Sequence, residues 1–576
     1  MQTQTMAHAL RQQLDVHGIS ELYAIPGDFI LPWLQALEET LPTFGMTKEK
    51  STVSGLLKSL RIVQLSHEPS AVYAADAAAR WRNAPSAVML TYGAGALNAV
   101  NAIAQAYMEF VPLLVFAGYP SQQEVASGLL LHHQVSDLDA QRRILTEVTC
   151  GQCRLDDPAT AVQQLTEVIQ RAIAESRPVL IELPRDMANA QVLCLSLPEM
   201  QSGASDDVNE TALRDAQRQL EQFCLDLPTK VTTPCLLIGV KAKRFGFDHA
   251  VAELAQRCGI PALTTLLGRG VLDISAASYK GVYSGAKDDP VLPWLLQSDL
   301  LICAGVIRSD SNFAAHPSLL AGRPVLWVDE QRTQLPDGHV IKLPAVEVFA
   351  ALQHAFTARA EAKPQVQMPT DSSENACKSA SAQNAQTDKG WRSDTLVNRL
   401  HQLLSQQTDT YPFVVDIGDC LFAALSANPS KLLAPAFYAS MGFAVPAALG
   451  LQLSSGLRPI VLVGDGAFQM TGLELGHCQR YGLNPIVIVL NNQSWGMIKA
   501  FAPELTAAGL AGWQYAALGR AMGCGASQIW NLHQFDGALA DALADIRRPR
   551  LIEVMLPQHS YSETLASFQR GLCNSA

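Results

Sequence analysis

Asp465 sits between two glycines in Gly464-Asp465-Gly466, and a pair of asparagines, Asn491-Asn492, follows one β-α unit later. A carboxylate, an amide oxygen and a backbone carbonyl are hard oxygen donors, the kind that Mg²⁺ takes. Asp465, the Asn492 side-chain oxygen and a carbonyl near Ser494 would hold the ion, with two diphosphate oxygens and a water completing an octahedron. Gly464 and Gly466 permit close backbone approach to phosphate, and the N-terminus of a following helix would add unpaired N–H groups and a positive dipole end. Either half alone is equally an ordinary turn; what gives the pair meaning is its place on successive strand ends.

That place is set by short runs rich in Val, Ile and Leu that alternate with longer amphipathic stretches, the pattern of β-α units on a buried parallel sheet. The strand candidates are Arg61–Ser66, Ser86–Thr91, Pro112–Ala117, Pro178–Glu182, Pro234–Gly239, Leu300–Ala304, Pro324–Val328, Pro459–Val463 and Pro485–Leu490. Pro459–Val463 puts Asp465 in the turn before a helix over Phe468–Tyr481, and Pro485–Leu490 delivers the asparagines to the same edge, where α/β sheets bind ligands. Polar stretches at Pro198–Asn209 and Glu361–Lys389 separate three groups of runs. The expected architecture is α/β, with three doubly wound parallel-sheet domains at 1–190, 205–355 and 390–576 and a linker over 356–389. Phe44–Leu60 reads as a polar loop or short helix.

Four further groups are weighed for chemistry. Glu68 precedes Pro69 at the start of a helix through Ala71–Arg80, and is either a solvated helix-start charge or a buried acid. His132-His133 follows Leu129-Leu130-Leu131, and one buried and one exposed histidine is the plain alternative to a proton relay. Thr91, Gly93 and Gly95 suggest a strand-to-helix turn, a weak signal without a third glycine. Cys150 and Cys153 form a Cys-x-x-Cys with no second pair, so reduced thiols are expected rather than a zinc site.

The context SHEPSAVYAADAAAR around Glu68, with the Asp465 and Asn492 anchor, resembles the thiamine-diphosphate enzymes. Ile25-Pro26-Gly27-Asp28-Phe29, His67-Glu68-Pro69, Thr91-Tyr92-Gly93-Ala94-Gly95 and Leu131-His132-His133-Gln134 narrow the likeness to their 2-oxo-acid decarboxylases, nearly end to end. Gly418-Asp419-Cys420-Leu421-Phe422, Asp465–Gly472 and Asn491–Met497 resemble the phenylpyruvate and indolepyruvate decarboxylases in particular. The resemblance implies pyrimidine-binding, central and diphosphate-binding domains, and a homodimer or homotetramer whose active site joins Glu68 of one chain to Asp465 of another. It implies that Glu68 activates the cofactor and that Asp28, His132 and His133 manage protons. Gly418, Asp419, Ala439, Met441, Gly464, Gly466, Ala467 and Asn492 would bind thiamine diphosphate, with Met441 propping its bent shape; a core methionine is the alternative for Met441.

Where pyruvate decarboxylases carry a catalytic glutamate, this chain has Ile498. An apolar residue there argues for a larger, greasier pocket, with Thr91, Phe422, Trp495, Met497 and Ile498 as its expected lining. The small Gly496 also departs from the pattern. The function the resemblance implies is non-oxidative decarboxylation of a bulky, aromatic 2-oxo acid. The alternatives are a carboligase that uses the same cofactor and a non-catalytic relative.

At 576 residues, 48% hydrophobic and 16% charged, the chain suits a packed enzyme of three to four domains. A net charge of -11 without a Lys/Arg cluster argues against nucleic acid. No apolar run approaches the roughly 20 residues of a membrane span. With no basic and apolar leader at the N-terminus and twelve scattered cysteines, the expected setting is cytoplasmic.

Overall fold

The computed structural model of the chain describes residues 3–40, 60–194, 210–286, 289–362, 391–405, 410–427 and 431–573. Of the segment Phe44–Leu60, all but Leu60 lies outside the described residues, as does 198–209. The hydrophobic runs form three sheets. In the first, the spatial order is Arg61–Gln64, Glu21–Ala24, Ser86–Leu90, Leu113–Tyr119, Val179–Pro184 and Gly151–Arg154, all parallel. In the third it is Leu432–Leu433, Phe413–Val415, Ile460–Gly464, Ile486–Asn491, Arg550–Met555 and Gly525–Ile529, again all parallel. Counted along the chain within each sheet, both orders are 2-1-3-4-6-5, so the two sheets share one topology.

That order reverses between each sheet's first and third strands, and ligands bind outside the carboxyl ends of strands at such a switch point. In the first sheet these strands are Glu21–Ala24 and Ser86–Leu90, which lead to Asp28 and Thr91. In the third they are Phe413–Val415 and Ile460–Gly464, which lead to Gly418, Asp419 and Asp465. Topology alone therefore carries the candidate residues to two crevices.

The central sheet has parallel strands Tyr279–Tyr283, Ala262–Thr265, Pro234–Ile238, Leu300–Ala304 and Val325–Val328, extended by short antiparallel strands Thr333–Gln334 and Val340–Ile341. A further antiparallel pair, Thr3–Thr5 with Gln191–Leu193, carries the first unit past the boundary at 190. The helix Ala345–Ala362 likewise runs on into the stretch 356–389, because polar composition begins before the helix ends. No helix among the described residues is long and apolar enough to cross a membrane.

The first and third units share one continuous core, from Tyr23, Val63 and Val88 to Val414, Phe443 and Val461. At its centre the alanine-rich helices Glu68–Arg82 and Ala444–Ser455 pack against each other. Small side chains let the two backbones approach so closely that a Cβ at Gly450 would lie 2.0 Å from the Ala74 carbonyl oxygen. Overpacking of this kind costs about 2 kcal/mol, which at about 2.1 cal/mol/K of unfolding entropy per residue should lower the thermal midpoint of Gly450→Ala by about 2 °C. Gly537→Ala, on a helix with open space around the new methyl, should not lower it. Equal losses in calorimetry of both variants would contradict the close helix approach.

Candidate active site

Ile460–Gly464 and Ile486–Asn491 are adjacent, with Gly464 opposite Leu490, so Asp465 and Asn492 leave the same sheet edge. Asp465 is not in a turn before a helix at Phe468: it is the first residue of the helix Asp465–Thr471, capped by extended Gly464. The helix tightens to a 3₁₀ turn over Gly472–His477 and resumes at Cys478–Tyr481. Gly472 lies against the Phe468 ring, which a Cβ would meet at 2.4 Å.

The Asp465 side chain is only 2% exposed. It accepts N–H bonds from Gly466, at 2.9 Å to Oδ1, and from Gln493 and Ser494. Burial outweighs these donors and pushes its carboxyl up to about 7. Its Oδ2 has no protein partner, nor has the buried Ser494 Oγ. The Ser494 N–H also bonds Asn492 Oδ1 at 3.1 Å, tying the aspartate and the asparagine together. A buried acid with an unpartnered oxygen beside an amide oxygen fits a hard divalent cation. Asn491 instead turns its amide to Glu553 Oε1, 2.8 Å away.

The two glycines differ in their reasons. A Cβ at Gly464 would meet nothing nearer than Cys420 Sγ at 4.0 Å, which leaves the room a phosphate needs. A Cβ at Gly466 would strike the Trp495 ring at 2.2 Å, so this glycine also seats Trp495 on the helix start next to Ala467. At Gly496 a Cβ would press on Asn492 Nδ2 at 3.2 Å, which gives that small residue a local packing reason.

Gly418 has φ +93 and open space over its α-carbon. The Asp419 carboxylate beside it is committed to the protein, accepting from the Ser562 N–H at 2.8 Å and from Ser393 Oγ. Ala439 adopts φ +65, and Met441 is partly buried against the shared core. Their loop is held by residues that the sequence reasoning missed. Glu109 Oε1 accepts the N–H groups of Ala436, Phe437 and Tyr438 at 3.1, 2.8 and 2.9 Å, and Gln105 Oε1 accepts that of Ser440 at 3.1 Å. Buried Asp416 accepts from Gly442 and Ala444, while burial pushes its carboxyl up to about 6. The only sequence signal for Glu109 was a lone charge inside the apolar stretch Met108–Leu114.

The other crevice gathers Asp28, Glu68, Thr91, His132 and His133. Glu68 opens the helix Glu68–Arg82 and its Oε2 accepts from Asn98 Nδ2 at 2.6 Å. A Cβ at Gly95 would lie 2.9 Å from Thr91 Cγ2 and 3.6 Å from Glu68 Oε1, and one at Gly27 would lie 2.4 Å from Thr91 Cβ. Thr91 Oγ1 is buried without a partner. His132 Nε2 lies 2.7 Å from Asp28 Oδ2. Both histidines are exposed in the single chain, not one buried and one exposed. Among the described residues, no hydrogen bond joins this group to Asp465, Asn492 or Ser494 within one chain.

Of the expected pocket residues, Phe422 and Met497 meet in one apolar cluster. Leu565 and Phe568, from the helix Glu563–Cys573, belong to it too, with Phe568 4.8 Å from Phe422 between ring centroids; both were missed. Ile498, on the helix Gly496–Phe501, is 46% exposed and outside that cluster. Cys150 and Cys153 are free thiols that burial pushes up to about 12.

Three family models match the chain: the thiamine pyrophosphate enzyme N-terminal TPP binding domain over residues 4–142, the central domain over 225–355 and the C-terminal TPP binding domain over 416–554. An indole-3-pyruvate decarboxylase of Azospirillum brasilense is 36% identical over 98% of this chain and 98% of its own. An alpha-keto-acid decarboxylase of Mycobacterium ulcerans is 27% identical over 96% and 94%, and one of Mycolicibacterium paratuberculosis 26% over 98% and 96%. With both crevices built as described and likeness running from end to end, the chain belongs to the thiamine pyrophosphate enzymes, as a thiamine-diphosphate and Mg²⁺ dependent member of their 2-oxo-acid decarboxylases.

Proposed function

We propose that this enzyme decarboxylates a bulky, aromatic 2-oxo acid of the phenylpyruvate or indolepyruvate type, releasing the aldehyde and carbon dioxide without net oxidation. The observation that carries the reading is the Asp28–His132 pair, 2.7 Å apart, with His133 beside it in the crevice that holds Glu68. When bound, thiamine diphosphate supplies a carbon nucleophile and an electron sink for the pair of electrons left by carbon dioxide. Asp465, Asn492 and Ser494 would hold Mg²⁺, and the open space over Gly464 and Gly418 would admit the diphosphate beside Ala467. Glu68, with Oε2 engaged by Asn98, has Oε1 left to hold a proton and would face the pyrimidine ring of the bound cofactor. Asp28 orients His132 through its ring nitrogen, and these groups with His133 deliver the proton that replaces the lost carboxylate.

Ile498 and the Phe422, Met497 and Phe568 cluster favour an aromatic substrate, as does the activity for which the Azospirillum relative is named. The same reading includes self-association into a homodimer or homotetramer that brings Glu68 of one chain to Asp465 of another. Leu129 and Leu130, 71% and 77% exposed next to the histidines, and Leu473, 62% exposed just past the Asp465 helix, support it. A cytoplasmic setting fits the ten described cysteine side chains, all free thiols.

Glu68→Gln should cut turnover by about 10²–10⁴-fold while calorimetry still records cofactor binding. Unchanged turnover would remove Glu68 from the mechanism. In a panel of 2-oxo acids, kcat/KM for phenylpyruvate should exceed that for pyruvate by about 10-fold or more, with free aldehyde as product. A preference for pyruvate would overturn the role of Ile498, and acyloin as the main product would overturn decarboxylation as the reaction.

A further inference from the structure

Adjacent residues of an extended chain point their side chains apart, yet His132 and His133 converge. His133 takes a left-handed backbone, φ +66, and Gly93, itself at φ +58, makes way for it: a Cβ there would lie 1.9 Å from the His133 carbonyl oxygen. The two imidazole centroids are 4.9 Å apart, and the buried Phe29 ring backs both, at 4.8 and 6.0 Å. Arg185 fixes the same corner from behind, donating to the Asp28 carbonyl at 2.9 Å while its guanidinium lies over Phe29. One ligand atom from each of Asp28, His132 and His133 lies within 4.8 Å of the others.

We propose that these three side chains form a second cation site, for a borderline transition metal of the Zn²⁺ or Co²⁺ class, and that its occupancy stops turnover. Two imidazoles and one carboxylate are the donor set of open, three-ligand zinc sites, whose fourth position is left to water or substrate. Tetrahedral bonds of about 2.0–2.1 Å put ligand atoms about 3.3 Å apart, a distance that exposed side chains reach by small rotations. Mg²⁺ prefers an all-oxygen shell, so it stays with Asp465 while imidazole selects the softer ion. A bound metal takes the nitrogen lone pairs that proton transfer needs. This inhibitory part rests on the proton-handling role proposed above; the binding part does not.

The test uses the holoenzyme in excess thiamine diphosphate and Mg²⁺, titrated with Co²⁺ and then with Zn²⁺. One Co²⁺ per chain should develop the strong visible absorption of a tetrahedral ion, Zn²⁺ should bleach it, and Zn²⁺ should abolish turnover. Losing even an outer partner costs about 10–100-fold in metal affinity, so His132→Gln and His133→Gln should each raise the Co²⁺ Kd by about 100-fold or more. Circular dichroism checks that both variants stay folded, and His339→Gln, at an exposed histidine paired with Asp337, should bind as wild type does. Absent tetrahedral absorption, or absorption that survives both variants, overturns the metal site, even if the same variants abolish decarboxylation. Tight Co²⁺ binding lost in both variants supports the site, and full turnover with Zn²⁺ bound there would refute its inhibitory role and the proton-handling assignment together.

Discussion

The structure is organised around a carboxylate that is costly to bury. Asp465 is almost fully enclosed at the end of a central strand, with N–H donors on one side and an oxygen without a protein partner on the other. A charged group in that position raises free energy unless a cation meets it. On the proposed reading, binding of Mg²⁺ and diphosphate at Asp465 would resolve the penalty. The neighbouring elements follow from that requirement: a small residue at Gly464, a helix start at Asp465, and a second strand end that brings Asn492 within reach of the shared Ser494 N–H.

The rest of the cofactor crevice depends on the first unit of the same chain. Glu109 is fully buried and divides its oxygens, one accepting three successive N–H groups of the loop that leads to Ala439 and Met441, the other meeting Arg80 at 2.7 Å. Arg80 also pairs with Asp76 on the helix that Glu68 opens. A buried pair is sound only while every member is satisfied, so the loop amides are part of what makes this cluster tolerable. One helix thus presents Glu68 at its start and braces the Met441 loop near its end.

The sequence made the scaffold legible for a physical reason, since parallel strands buried on both faces are rich in Val, Ile and Leu, and it singled out Asp465 and Asn492 because hard oxygen donors at strand ends are particular residue types. Arg61–Gln64 and Leu300–Ala304 appear close to or at their expected bounds. What stayed hidden depends on contacts between distant segments. Nothing local to Gly466 or Gly93 shows that one seats Trp495 and the other admits His133. Phe568 reaches Phe422 from the far end of the chain, and Glu109 has no motif. The helix over Phe468–Tyr481 was misplaced because a glycine capping Asp465 looks the same in sequence as a glycine in a turn.

The central claim is that the Asp465 carboxylate is the metal anchor for the diphosphate, and calorimetric titration of apoenzyme with thiamine diphosphate, with and without Mg²⁺, tests it most directly. Wild-type protein should bind tightly only with Mg²⁺ present. Asp465→Asn keeps the shape but removes the charge, and should weaken binding by about 100-fold or more and erase its dependence on Mg²⁺. Equal affinity and equal Mg²⁺ dependence in the two proteins would contradict the account.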